Sequence, residues 1–179
     1  MFEIDDLEED WPSKHKFDYI HGRMLFACFK NPEEVITQAV NALNPGGFLE
    51  IQDTLLWFKC DDGYLGTAMA DWQQMLHKAA WKSGRDWLCP TKYEQYLISA
   101  GLVNVKKVKY KWPINRWPSG EREKELGSYS TLNLKVGIES ISMAVMTNHL
   151  GKTEEEVRKI LNCVWEELLS QHIHAYIPV

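Results

Sequence analysis

The chain has 179 residues, enough for one domain with a real core, and its 45% hydrophobic and 25% charged content is that of an ordinary globular protein. A net charge of −5 without a polybasic block argues against a nucleic-acid or anionic-membrane surface, and no apolar run is long enough to span a bilayer. The acidic start lacks the apolar segment of a signal peptide. Cys28, Cys60, Cys89 and Cys163 have neither metal-ligand nor redox spacing, and read as reduced thiols of a cytoplasmic protein. Eight Trp and seven Tyr fit either a rich core or an aromatic-walled pocket for a hydrophobic ligand.

Phe2–Ile4 can be a strand stub, followed by the acidic stretch Asp5–Asp10. Phe17–Ile20 is a short, mostly apolar run that predicts a buried strand. Asn31, Pro32, Glu33 and Glu34 give an N-cap, a first-turn proline and first-turn acids, and Val35, Ile36, Ala39, Val40 and Leu43 form a helical stripe. Asn44–Gly47 stops that helix, and Phe48–Asp53 is the next strand, so the order predicts a right-handed parallel crossover. A second helix is predicted over 66–83, ended by Gly84. A third opens at Thr91, with Glu94 completing a capping box, and ends at Gly101.

Residues 103–112 alternate apolar and polar, with a slip at Lys106-Lys107, and predict a strand with a bulge near a sheet edge. Pro113 and Pro118 bracket an irregular stretch. Two helical segments follow, 121–134 and 136–150. Thr153 to Glu156 is a capping box that opens a helix carrying Val157, Ile160, Leu161, Val164, Trp165 and Leu168 inward. His174–Ile177 begins a last strand.

Phe2–Trp11, Lys16–Met24 (KFDYIHGRM), Asn44–Asp53 (NPGGFLEIQD), Asp61-Asp62-Gly63, Lys111–Pro118 (KWPINRWP), Glu125-Leu126-Gly127 and Ile173–Pro178 (IHAYIP) occur in an order that resembles the fungal secondary-metabolism branch of the class I S-adenosylmethionine-dependent methyltransferases. The resemblance implies an α/β, truncated Rossmann-like fold over 1–179. Its partial, mostly parallel sheet with one antiparallel strand is built from 1–112 and 172–179, and 113–171 form a helical cap on the substrate side. It implies a sheet ordered as the stub, then the Phe17, Phe48, terminal and Val103 strands.

Members of that family carry, before this point, the glycine-rich loop and the ribose-binding acid. No such loop occurs here, and Gly46-Gly47 is a mid-domain turn. Asp5, Asp6 and Leu7 would be vestiges of an adenine site. The expectation is therefore millimolar or no binding of S-adenosylmethionine by this chain, and no cofactor or metal. The bare edge of the Phe17 strand would be covered by the N-terminal residues, by a second copy in a homodimer, or by another polypeptide.

His21 follows a strand, where open α/β sheets place their sites, and suits acid–base or polarising work; the alternative is a backbone-bonded histidine. Arg23 could hold a carbonyl or carboxylate, or pair with the acidic loop. Asp53 ends the next strand and could be a base or a hydrogen-bond acceptor; the alternative is a helix cap. By the resemblance, Met24, Trp57, Trp72, Trp112, Trp117 and Tyr129 would surround a hydrophobic small-molecule substrate, although Trp72 at helical spacing also suits the core. His172 and His174 lack a third ligand for a metal. Three functional readings follow: a cyclase or pericyclase that needs no methyl donor, an inactive half of a methyltransferase, and a non-catalytic partner subunit.

Overall fold

The computed structural model describes residues 6–11 and 16–179. The stub at Phe2–Ile4 and the candidate Asp5 lie outside them. The first unit is a β–α–β crossover. β1 (Phe17–Arg23) pairs in parallel with β2 (Leu43–Gln52), and α1 (Pro32–Asn41) connects them. The start of α1 is as the sequence predicts. The Asn31 side chain accepts from Glu34 N, and the first-turn acids lie at the positive end of the helix dipole.

The turn before β2 differs from expectation. Leu43 already pairs with Phe17, and the next pair is Tyr19 with Phe48, so Asn44–Gly47 loops out as a bulge inside the strand. Gly46 has φ +83°, a conformation that favours glycine. One face of β1–β2 is covered. Leu49 and Ile51 pack with Ile36 of α1 and with Cys89 and Tyr93, forming a small core. The other face, carrying Phe17, Tyr19 and Phe48, is open to solvent.

The main core is helical. α2 (Thr67–Lys82), α4 (Glu121–Leu150) and α5 (Glu154–Leu169) pack around Met69, Trp72, Leu76, Ile138, Met146 and Val164. Trp72 Nε1 donates to Ser142 Oγ at 2.9 Å, so the buried indole N–H is satisfied. α2 starts at Gly66, which has no side chain to cap it. Glu167 of α5 does so, accepting from Ala68 N at 3.1 Å and Met69 N at 2.7 Å. The Thr153–Glu156 capping box of α5 forms as expected.

Four expectations are corrected. Residues 121–150 form one helix of 30 residues, because Lys135, Val136 and Gly137 keep helical backbone and Ile138 is buried where the stripe continues. Thr91 caps nothing: it closes a 3₁₀ turn (Cys89–Thr91), donating to Leu88 O, and α3 (Tyr93–Ser99) starts after Lys92 without a side-chain cap. Of the alternating stretch 103–112, only its end pairs: β4 (Lys111–Pro113) ladders with the short β5 (Ala175–Pro178), and Tyr110 exchanges both backbone hydrogen bonds with Val179, while Val103 and Val108 are left exposed. The single sheet is replaced by two, β1–β2 and an antiparallel β3–β5–β4, where β3 (Lys59–Cys60) was not foreseen.

The unusual strings of the sequence meet around the second sheet. Lys111 pairs with Asp61 at 2.6 Å, and His174 with Asp62 at 2.9 Å. Trp117 stacks on His174 with ring centroids 4.8 Å apart, and its Nε1 donates to Ala175 O at 2.9 Å. Asn115 is buried with φ 58°, and its amide nitrogen donates to Leu168 O and Ser170 O at the end of α5. Gly127 sits where a Cβ would overlap the Asn115 carbonyl oxygen. Gly127→Ala is therefore expected to cost about 1–3 kcal/mol by overpacking against backbone. The urea midpoint should fall at unchanged slope, and an unchanged midpoint would mean that α4 can retreat freely.

Candidate functional site

Parallel strands place ligands in the crevice outside their carboxyl ends. Here that place is the end of β1 (His21–Arg23), the turn at Met24, and Asp53 just past β2. Met24 has φ 56°, a strained conformation for a residue with a side chain, and its N–H still donates to Gln52 O at 3.0 Å.

Asp53 closes the junction. Its Oδ2 accepts from Leu25 N at 3.0 Å and from the Tyr93 hydroxyl at 2.8 Å, while Oδ1 accepts from Thr54 N at 2.8 Å. One carboxylate thus ties the turn after β1, the exit of β2 and the first turn of α3. Burial holds its carboxyl above the ordinary range, with the hydrogen bonds from Tyr93, Thr54 and Leu25 opposing. The same surroundings push the Tyr93 phenol well up, chiefly by burial and then by the Asp53 charge. The Cys89 thiol, 3.5 Å from the Tyr93 hydroxyl, is pushed up to about 11, again by burial first. That is the profile of an inert thiol.

His21 and Arg23 differ from Asp53 in being exposed, and among the described residues neither side chain makes a hydrogen bond or an ion pair. Alternation puts Tyr19, His21 and Arg23 on the open face, opposite Phe48, Glu50 and Gln52. Tyr19 stacks on His21 with ring centroids 6.2 Å apart. Its hydroxyl donates to Glu50 Oε2 at 2.6 Å, and Gln52 Nε2 donates to Glu50 Oε1 at 2.6 Å. The Tyr19 hydrogen bond, then that of Gln52, holds the Glu50 carboxyl below its usual value. The face therefore offers a fixed carboxylate, an imidazole and a guanidinium within one strand pair.

The aromatic residues expected around a substrate do not converge here. Trp72 is in the core, 1% exposed. Trp57 is half-buried and stands edge-on to His77, whose Nε2–H donates to Leu56 O at 2.6 Å. Trp112 is half-buried in β4 opposite Ile177, Trp117 is held by His174 and Ala175, and Tyr129 projects from α4 into solvent. Met24 is the one substrate candidate at the strand ends. Asp6 and Leu7 lie in an exposed turn; Trp11 Nε1 donates to Leu7 O, and nearby Glu8 accepts from Lys30 N at 2.7 Å and Asn31 N at 3.1 Å, pinning the acidic stretch to the start of α1. Sequence reasoning missed Tyr93 and Glu50. Tyr93 shows only as an aromatic at a helix start, and Glu50 only as a polar position in an alternating strand.

Residues 2–107 match the model of a methyltransferase domain. The chain belongs to that methyltransferase family. It is 34% identical over 97% of its length to "Probable methyltransferase tdiE" of Emericella nidulans, and 35% identical over 97% to "Methyltransferase pytC" of Aspergillus terreus, covering 55% and 54% of those proteins. "Secondary metabolism regulator LAE1" of Cochliobolus heterostrophus is 27% identical over 96% of the chain, which covers 57% of it. The chain spans about half the length of these relatives. No solved structure matches it.

By the resemblance the family takes S-adenosylmethionine, and of the residues it would place beside the adenine, Asp6 and Leu7 lie in the described part of the chain. Among the described residues the buried side-chain polar atoms without a protein partner are Gln73 Oε1 and Trp87 Nε1. Leu7 is surface-exposed, and Asp6 Oδ1 is taken up by Glu8 N. Among the described residues no cluster of three His, Cys, Asp or Glu could hold a metal, and no helix is long and apolar enough to cross a membrane.

A raised folded pKa means that the Asp53 carboxyl favours the fold while protonated. That contribution is complete below the unfolded pKa and is lost as pH rises through the folded one. Relative to Asp53→Asn, the wild type should thus lose stability as pH rises from about 4, the ordinary carboxylate value, towards neutrality. Paired urea midpoints at stepped pH check this, and a relative gain would contradict it.

Proposed function

We propose that this chain works in fungal secondary metabolism on a hydrophobic small molecule at the carboxyl ends of β1 and β2, and that on its own it holds S-adenosylmethionine weakly. The supporting observation is the Asp53 junction. It fixes the backbone of both strand ends through Leu25 N and Thr54 N, ties them to Tyr93, and leaves His21 and Arg23 exposed beside it without hydrogen-bond or ion-pair partners among the described residues. A rigid backbone with two available donors can hold a substrate carbonyl and stabilise charge as it develops. Asp53, engaged on both oxygens, acts as a positioning residue.

The reaction that asks least beyond these residues is a cyclisation of the cyclase or pericyclase type. Its bonds form and break within one substrate, with no group lost or transferred. His21 or Arg23 donates a hydrogen bond to a carbonyl that becomes more electron-rich in the transition state, and the proton stays on the donor. Methyl transfer is the second reading, favoured by the names of the relatives. There the same two side chains orient the acceptor, and the donor's contacts come largely from residues other than those described.

Calorimetric titration with S-adenosylmethionine separates the two. The proposal expects no micromolar binding; micromolar binding would restore methyl transfer as the reading. His21→Ala should leave the urea midpoint unchanged within about 0.5 kcal/mol, as for an exposed residue. It should also lower turnover of a cyclising substrate by roughly a hundredfold, the loss typical of one removed donor. Wild-type turnover in that variant would sink the role of His21.

A further inference from the structure

α4 carries two apolar stripes, and the fold uses one. Ser130, Leu134, Ile138, Ser142 and Met146 recur along the side that meets the core and are buried. Tyr129, Leu132 and Val136 lie on the other side and are 62%, 56% and 76% exposed. Their spacing of i, i+3 and i+7 is the seam by which one helix packs on another. Exposed apolar residues scattered singly are ordinary, but three on one helix seam form a continuous patch.

The charges beside the patch show what it is shaped to meet. Arg122 and Glu125 precede it and Lys135 and Glu139 follow it, all four exposed. Among the described residues Arg122, Glu125 and Lys135 make no ion pair, while Glu139 holds Arg158 at 3.1 Å. A carboxylate so engaged keeps lone pairs for a second guanidinium. The order along this side of α4 is positive, negative, apolar, positive, negative. Turned end for end, that order is its own complement.

A second α4 laid antiparallel, with a two-fold axis level with Ser130 and Thr131, sets Tyr129 against Leu132 of the other copy. The same placement sets Arg122 against the other Glu139 and Glu125 beside the other Lys135, and the symmetry repeats each contact. Val136 is then covered by the aliphatic stems of Arg122 and Glu125. A parallel pair in register would instead set each charge on its own kind. The contact segment 122–139 is about 27 Å long, at about 1.5 Å per residue. An interface of that length is at the small end for specific association and suits a reversible dimer.

We propose that this side of α4 is a homodimer interface, in which two copies pack their α4 helices antiparallel through Tyr129, Leu132 and Val136. The proposal goes beyond the function given above, uses none of its residues, and lies away from the bare edge of β1.

Sedimentation velocity of the full chain, from low micromolar to several hundred micromolar, tests it. Wild type should pass from monomer to dimer across that range. Leu132→Glu should stay monomeric with an unchanged circular dichroism spectrum, because the residue is exposed. Glu125→Lys alone and Lys135→Glu alone should each weaken the dimer roughly tenfold, since each sets like charges together at two symmetric places. The double reversal should restore it. Glu125 and Lys135 stand about 15 Å apart along one helix, so rescue can arise only between copies. If Leu132→Glu does not fold, the charge reversals decide. A wild type that stays monomeric, or a double reversal no better than the single ones, would overturn the inference. So would a dimer that survives Leu132→Glu, and its loss in Tyr19→Lys would move the contact to β1. None of these outcomes depends on S-adenosylmethionine or on His21.

Discussion

One carboxylate joins the two cores of this protein. The small core lies between β1–β2, α1 and α3; the large one between α2, α4 and α5. The chain crosses from one to the other at Asp53-Thr54, directly after β2. There Asp53 receives the Leu25 amide, whose neighbours Phe26 and Ala27 pack on the large core, and the hydroxyl of Tyr93, which belongs to the small one. Removing the carboxylate would leave a buried amide and a buried phenol without acceptors, so the junction is held by what its loss would cost more than by Coulombic attraction. The strand-end site depends on this anchoring, because among the described residues neither the His21 nor the Arg23 side chain makes a hydrogen bond or ion pair, and only Tyr19 stacks on His21.

The division of labour among the unusual sequence strings follows from the same physics. KWPINRWP, the DDG acids, ELG and IHAYIP lock to one another through Lys111–Asp61, His174–Asp62, Trp117–His174 and the close approach of Gly127 to Asn115. Each contact fixes a residue type sharply: no other residue replaces a glycine against a carbonyl or an asparagine bridging two carbonyls. These strings are distinctive because they hold β4, β5, α4 and α5 in register. In the proposed function the chemistry is left to less distinctive residues on the open face of β1–β2.

Much of the local structure was legible. The Asn31 and Thr153 caps, the crossover between parallel strands and the inward stripe of α5 all follow from short-range pattern, and family membership from the strings themselves. The failures are long-range. Val103–Lys109 has strand alternation but no partner of sufficient length, and a strand without a ladder does not form. Lys135–Gly137 looks like a break, yet packing of Leu134 and Ile138 on the same core carries the helix through. At the site, His21, Arg23, Met24 and Asp53 were placed together because strand ends are readable from order. The aromatic walls were not, since which neighbour a tryptophan meets is decided by tertiary packing.

The most direct test of this account is amide hydrogen exchange at Leu25. Its N–H lies in a turn and, among the described residues, has Asp53 as its acceptor. The account predicts protection comparable to the ladder amides of β1 and β2, lost in Asp53→Ala. A Leu25 amide that exchanges in the wild type as fast as an open loop would contradict it, and with it the rigid strand-end platform.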